Sequence, residues 1–504
     1  MTIKRIVLVI LTVLAIALIG QDLLASWSQP QFQSRLELYQ TNLVLQATEW
    51  QGDDPGLVSV RKGIIGAEPV QGATKQYQEL RQSAQKNLER TQLLLASPTA
   101  DPSLKVSTPK LERLITELDL RLGVLQVQQG QTATAQKTWA GVIQQTDGKA
   151  NLEPLSKTAG VLAGLWSDPP RLFPDAEQTL KQNLDSWFRY RSLAQLYKLQ
   201  QRQDALTDLQ AAQQATAERA LTNLAIVGGI PTISGLLGTV ILLFLLGQWV
   251  VRRKQSLLAP EGIAAWTVPW DGEIVWQVLI FGFFLVGQIL LPLGLGVFQQ
   301  AVGFNPATLS ERVRALYILV NYLLLAAGGL AVLYFSIKTF LPLPDGWFQV
   351  KLRSRWFLWG LGGYFAALPL VILISLVNQK IWQGQGGSNP ILPIALEGKD
   401  QGAFVLFCIT AAIAAPIFEE LLFRGFLLPS LTRYMPVWGA IVLSSFIFAL
   451  AHLSLSEVLP LMTLGIVLGF VYSRSRNLLA SMLLHSLWNS GTLLSLFVLG
   501  SSTQ

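Results

Sequence analysis

Ala411-Ala412-Ile413-Ala414-Ala415-Pro416-Ile417-Phe418-Glu419-Glu420-Leu421-Leu422-Phe423-Arg424 is the stretch on which the reading of this chain turns. An apolar run carries two adjacent carboxylates and, four residues after the second, a guanidinium. The chain around it is 51% hydrophobic and only 14% charged, whereas an ordinary soluble domain carries about 25% charge. Mean hydropathy is +0.41. A bilayer is therefore the solvent to consider, and a charge at its centre costs at least ~2.5–3.5 kcal/mol on insertion scales. Two acids at that depth need a partner, a proton or a function.

Outward from this run, apolar spans recur at 222–250, 275–298, 314–337, 356–377, 403–428, 437–453, 458–473 and 478–500. A bilayer core takes about 20 apolar residues per helix. Another apolar run, Ile6 to Ile19, follows Lys4 and Arg5 and lacks a clear small-x-small cleavage site, so residues 1–20 read as an uncleaved signal anchor. The fold class is all-α, a polytopic helical membrane protein with about nine transmembrane helices. Residues 21–220 differ: they are polar, rich in Gln, Leu and Ala, with periodic apolar positions. They predict a non-membrane domain of amphipathic helices. Leu122-Gly123 with Gly130, Ala135 and Trp139, and Leu193-Ala194 with Tyr197 and Ala205, are spaced like tetratricopeptide repeats. A plain bundle fits the same pattern, and either form can bind a protein partner. The expected organisation is thus an anchor over 1–20, a helical domain over 21–220, additional transmembrane helices over 221–400 and a chemistry-bearing core over 401–504.

With Lys4 and Arg5 inside, Arg252, Arg253, Lys254, Lys351, Arg353, Arg355, Arg433, Arg474 and Arg476 also fall inside, while Arg312 and Arg314 do not. This pattern predicts an N-in, C-out topology. The net charge of +7 then belongs to basic loops, and no nucleic-acid partner is expected. One cysteine, Cys408, excludes an intrachain disulfide and a multi-cysteine metal site.

From Ile274 onward the acids are Glu311, Asp345, Glu397, Asp400, Glu419, Glu420 and Glu457, and of these Glu419 and Glu420 alone lie within an apolar stretch. Glu420 and Arg424 are i and i+4 and share a helical face; Glu419 points about 100° away, free to face a cavity. The bland alternative is an ion pair that only fixes helices. The chain has two histidines, His452 and His485, both in the apolar C-terminal region, and His485 shares a face with Asn489. Interhelical hydrogen bonding is their ordinary role in membranes. Together the residues suit hydrolysis: Glu419 as base for water, one histidine to hold that water or protonate the leaving amine, the other with Asn489 to stabilise an oxyanion. His452, His485 and Glu419 also have the composition of a catalytic zinc set, or of a site for another divalent metal, although no His-Glu-x-x-His motif is present. Serine and cysteine nucleophiles fit less well: no Gly-x-Ser-x-Gly elbow lies near either histidine. Two non-hydrolytic readings remain open, a non-catalytic scaffold presenting the helical domain and a proton-coupled transporter.

Glu419-Glu420-Leu421-Leu422-Phe423-Arg424, then Phe448-x-x-x-His452, then His485-x-x-x-Asn489 resemble the three motifs of the CAAX-protease and bacteriocin-processing family, which includes the type II CAAX prenyl endopeptidases. The resemblance covers about 403–498. It implies an intramembrane endopeptidase, classed as a metalloprotease though a glutamate mechanism is also argued. It further implies that Glu419 and His452 activate water, that His485 and Asn489 form an oxyanion hole, and that Glu420 and Arg424 support them. The implied substrate is a membrane-embedded or lipid-modified peptide, with CAAX-type processing as one branch. One tension is visible in advance. His452 ends one span while Glu419 lies deep in another, so the helix over 403–428 should tilt or break near Pro416.

Overall fold

The computed structural model describes residues 2–27, 32–95, 102–259, 263–303, 305, 309–389, 391–398 and 400–501. All regular structure among them is helical, and it falls into two compact units. One comprises residues 33–230 with the last few residues of the chain, the other 1–32 with 231–497.

In the first unit, helices α2 (Phe32–Ala47) to α10 (Gln203–Leu224) pack largely on their sequence neighbours. The intervening helices are α3 (Pro55–Ile64), α4 (Pro69–Leu95), α5 (Pro102–Gln128), α6 (Thr132–Thr146), α7 (Glu153–Leu165), α8 (Ala176–Asn183) and α9 (Ser186–Leu199). Tyr77, Leu118, Trp139, Trp187 and Phe188 are in the core. The expected hairpins form. Gly130 turns α5 into α6 at φ +76°, a conformation that favours glycine. The Trp139 indole lies where a Cβ on Gly123 would stand, and its Nε1 donates to Leu120 O at 3.2 Å. Two such hairpins make a helical domain; they do not by themselves make a tetratricopeptide array.

Among the described residues of the second unit, eight helices are long and apolar enough to cross a bilayer. They are α1 (Ile3–Trp27), α11 (Ile230–Arg252, within the continuous helix 203–255), α12 (Gly272–Val302), α13 (Glu311–Ile337), α14 (Trp356–Trp382), α16 (Gln401–Leu431), α18 (Val458–Ser475, within 455–475) and α19 (Leu478–Ser501). A short α15 (Ile391–Glu397) precedes α16. The ninth expected span is the shortest of the set. Residues 437–453 yield α17 (Val437–Leu450), 14 residues long, or about 21 Å against a hydrocarbon core of about 30 Å. The chain turns back after it, with Leu453 at φ +56°.

Burial ranks these helices. Within their apolar windows α1 and α11 are 11% buried, whereas the segment containing α18 is 44% buried; α18 is central and the other two face outward. Ile233, Leu236, Phe244 and Trp249 on α11 are exposed, as lipid-facing side chains must be. Small residues let the inner helices approach. A Cβ on Gly465 of α18 would stand 2.8 Å from Ser445 Cβ of α17.

One end of this unit is a cap of tryptophan and arginine. Trp270 lies 4.4 Å from Trp347 and donates to Ser430 Oγ at 2.9 Å. Trp266 stacks on Tyr472 at 5.5 Å, and the Arg476 guanidinium sits 3.5 Å over the same indole. Arg474 donates to Ala259 O at 2.6 Å, and Lys4 and Arg5 pair with Glu273 at 3.0 and 2.7 Å. Aromatic and basic side chains with one wet and one greasy end collect at a membrane interface. The opposite end joins Ser26 Oγ to Leu455 N at 3.2 Å and Trp27 to Trp382 at 5.6 Å. Helix α1 is thus tied into the membrane unit at both ends.

Candidate active site

The site begins with a distortion in α16. Residues 409–414 and 420–427 are π-helical, on either side of Pro416. The expected disturbance near Pro416 is a widening of the helix, with the chain continuing through it. In a π turn the N–H five residues on closes the ring; for the carbonyl of Ala411 that residue is Pro416, which has no N–H. Asn489 Nδ2 donates to Ala411 O at 2.7 Å instead. Residue 489 therefore ties α19 to α16 where the proline frees a carbonyl. Its second amide N–H remains available.

Glu420 and Arg424 meet as their spacing predicts, Nη1 to Oε1 at 2.8 Å, with both side chains fully buried. Arg424 is spent on structure: Nη2 donates to Gly465 O at 3.2 Å and the guanidinium lies 4.5 Å over the Phe448 ring. A buried charge needs such saturation. His485 joins the pair, Nδ1 to Glu420 Oε1 at 3.0 Å, and turns Nε2 toward Glu419 Oε2 at 3.8 Å. One imidazole thus stands between two carboxylates. Glu419 Oε1 accepts a hydrogen bond from Tyr322 OH at 3.0 Å; Oε2 is buried and accepts none among the described residues.

Contacts link the three motifs: His485 reaches Glu420, the Phe448 ring lies under the Arg424 guanidinium, and Asn489 reaches Ala411. His452 is one turn past Phe448 and folds back, its Nδ1 2.9 Å from Phe448 O. A carbonyl only accepts, so Nδ1 carries a proton, and in the uncharged ring the lone pair is at Nε2. The Phe448 ring stands edge-on between the histidines, 5.0 Å from His452 and 5.8 Å from His485. Among the described residues no ion pair joins His452 to Glu419; Glu457, whose carboxylate accepts from Asn389 N at 2.8 Å, lies within electrostatic reach of His452.

The expected metal set does not assemble. Among the described residues no three His, Cys, Asp or Glu side chains converge closely enough to hold an ion. A catalytic zinc takes three protein ligands at about 2.0–2.2 Å. His485 Nδ1 is taken by Glu420 and His452 Nδ1 by a carbonyl, which leaves Nε2 as the ligating atom of each ring.

Sequence reading missed Tyr322 and the Arg424–Phe448 contact. Tyr322 is one of ten tyrosines, in an apolar span without a charged neighbour. The aromatic at 448, by contrast, stood in a motif and its role was open to inference.

Parts of the chain are similar to known proteins. Residues 401–491 match the family described as type II CAAX prenyl endopeptidase Rce1-like. The chain is 23% identical over 222 residues to the membrane-embedded CAAX protease MroQ of Staphylococcus aureus (strain USA300), covering 43% of this chain and 87% of MroQ. It is 26% identical over 133 residues to YdiL of Bacillus subtilis (strain 168), named as a candidate membrane peptidase, covering 26% of this chain and 53% of YdiL. A third relative, the UPF0177 protein YxdF of Lactococcus lactis subsp. lactis (strain IL1403), is 37% identical over 75 residues, 15% of this chain and 41% of YxdF. No solved structure matches significantly. The chain is a multi-helix membrane protein, and its residues 401–491 form a domain of the Rce1-like type II CAAX prenyl endopeptidase family.

Proposed function

We propose that this chain is an intramembrane endopeptidase that hydrolyses a membrane-embedded or lipid-modified peptide. The observation that carries the reading is the convergence of Glu419, Glu420 and His485 within 3.0–3.8 Å, with Asn489 one turn along α19 from His485. An ion pair that served only to hold helices together needs Glu420 and Arg424. It does not need a second carboxylate with a bare oxygen facing an imidazole.

In this mechanism a water lies between Glu419 Oε2 and His452 Nε2. Glu419 takes one proton as the water oxygen bonds to the scissile carbonyl carbon, and the carbonyl π electrons move to its oxygen. The free N–H of Asn489 and His485 face that oxyanion, where one well-placed donor is worth ~3–4 kcal/mol. Because His485 Nδ1 donates to Glu420 Oε1, its Nε2 donates only when the ring is protonated; Glu420 is the counter-ion for that form. Collapse of the tetrahedral species breaks the C–N bond, and the proton held by Glu419 passes to the leaving nitrogen. CAAX-type tails are one substrate class, as the name of MroQ suggests, and residues 33–230 are where a protein partner would dock.

The test is comparative sequencing of new peptide termini in membrane fractions from cells carrying wild type or Glu419→Ala. Termini made only by the wild type support the reading and identify the substrate. Equal sets in both samples would reject it.

A further inference from the structure

The Glu419 carboxylate has two inequivalent oxygens. Oε1 accepts the Tyr322 hydroxyl at 3.0 Å. Oε2 is buried, unbonded among the described residues, and 3.8 Å from His485 Nε2. Tyr322 belongs to α13, outside the matched residues 401–491. Its ring is fixed edge-to-face against Phe418, centroids 6.2 Å apart, and Phe418 in turn packs on Gly329 of the same helix, where a Cβ would stand 3.0 Å from its ring. A phenol has one O–H to give, and here it is aimed at one oxygen of a carboxylate that could otherwise turn either edge toward the water.

We propose that Tyr322 is a positioning residue for the reaction: its hydroxyl pins Glu419 Oε1 and thereby makes Oε2 the oxygen that takes the proton from water. This rests on the endopeptidase reading above. A base must lie within hydrogen-bond reach of the proton it removes, and a carboxylate free to rotate about its last torsion spends part of its time with neither oxygen in place. The residue that fixes the torsion comes from the additional helices. They therefore complete the site that the matched residues 401–491 leave with one bare carboxylate.

The test uses the full-length protein in native membranes, with the wild type, Tyr322→Phe and Glu419→Ala compared in parallel. The first readout is the rate at which wild-type-specific peptide termini appear. Tyr322→Phe keeps the ring and its packing and removes one oxygen. It should slow cleavage about tenfold to a hundredfold, the scale of one hydrogen bond to a charged group, at unchanged level of folded protein. The second readout is the ζ-¹³C resonance of Tyr322 in the detergent-solubilised protein, identified by its loss in Tyr322→Phe. It should shift in Glu419→Ala, which removes the acceptor. If Glu419→Ala abolishes the termini while Tyr322→Phe produces them at the wild-type rate, the positioning role is wrong and the endopeptidase reading stands. If Glu419→Ala and wild type yield the same termini, the endopeptidase reading fails and this inference falls with it. A ζ-¹³C resonance unmoved by Glu419→Ala would show that the hydroxyl does not hold the carboxylate, and would overturn the proposal whatever the rates.

Discussion

Arg424→Met tests the electrostatic core of the site. The guanidinium is fully buried and makes three contacts: Glu420 Oε1 at 2.8 Å, Gly465 O at 3.2 Å and the Phe448 face at 4.5 Å. Methionine fills most of the volume and makes none of them. Removing one member of a buried pair costs ~3–5 kcal/mol because the other charge stays behind uncompensated. Glu420 keeps the His485 Nδ1 donor at 3.0 Å, so the loss should lie near the lower end, about 3 kcal/mol, or more than a hundredfold in the folding equilibrium. Adding Glu420→Gln removes the stranded charge and should recover much of it, since buried pairs replaced on both sides are often nearly neutral. The assay is equilibrium unfolding of the solubilised protein across the double-mutant cycle. If Arg424→Met alone unfolds within 1 kcal/mol of the wild type, the pair is not desolvated and the burial argument for the site is wrong.

Two further outcomes follow from the same geometry. Asn489→Ala removes an oxyanion donor and the tie to Ala411 O, and should lower the cleavage rate about a hundredfold, read as the rate of appearance of wild-type-specific termini. In the helical domain, hydrogen bonds from Lys181, Arg202 and Tyr197 hold Glu177 down to about 2, from an ordinary 4.5. A carboxyl depressed on folding stabilises the native state above its ordinary value and loses that contribution as pH falls toward the folded value. The stability difference between wild type and Glu177→Gln, measured on the full chain by chemical unfolding, should therefore be constant above pH 4.5 and shrink between 4.5 and about 2.

Much of the site was open to reading before any coordinates, because charge in an apolar span is rare enough to mark itself. Glu420 and Arg424 meet at the i, i+4 spacing seen in the sequence. His485 and Asn489 both reach α16 from the α19 face they were expected to share. What resisted was whatever depends on departures from regular geometry. The π turns around Pro416 leave no compositional trace, so the reason for Asn489 to reach Ala411 was invisible. An apolar run of 17 residues at 437–453 predicts a full-length helix, and only the turn at Leu453 shows that the helix stops at 14. Tyr322 lies 97 residues from Glu419, and no periodicity links a phenol on one helix to a carboxylate on another. The metal set was a matter of composition alone; convergence is three-dimensional, and among the described residues no cluster of three such side chains forms. The helical domain was legible as helices because amphipathic periodicity is local, whereas a superhelical repeat is a relation between hairpins.

The central claim is that Glu419 draws a proton from water to cut a peptide bond within the membrane unit. The direct measurement is to incubate membranes carrying wild type or Glu419→Ala in ¹⁸O-water, before any other protease is added, and weigh the new C-terminal carboxylates. Wild-type membranes should gain cut peptides carrying one solvent oxygen at the new C-terminus, and Glu419→Ala membranes, with equal amounts of folded protein, should gain none. The same labelled termini appearing at the same rate in both would contradict it.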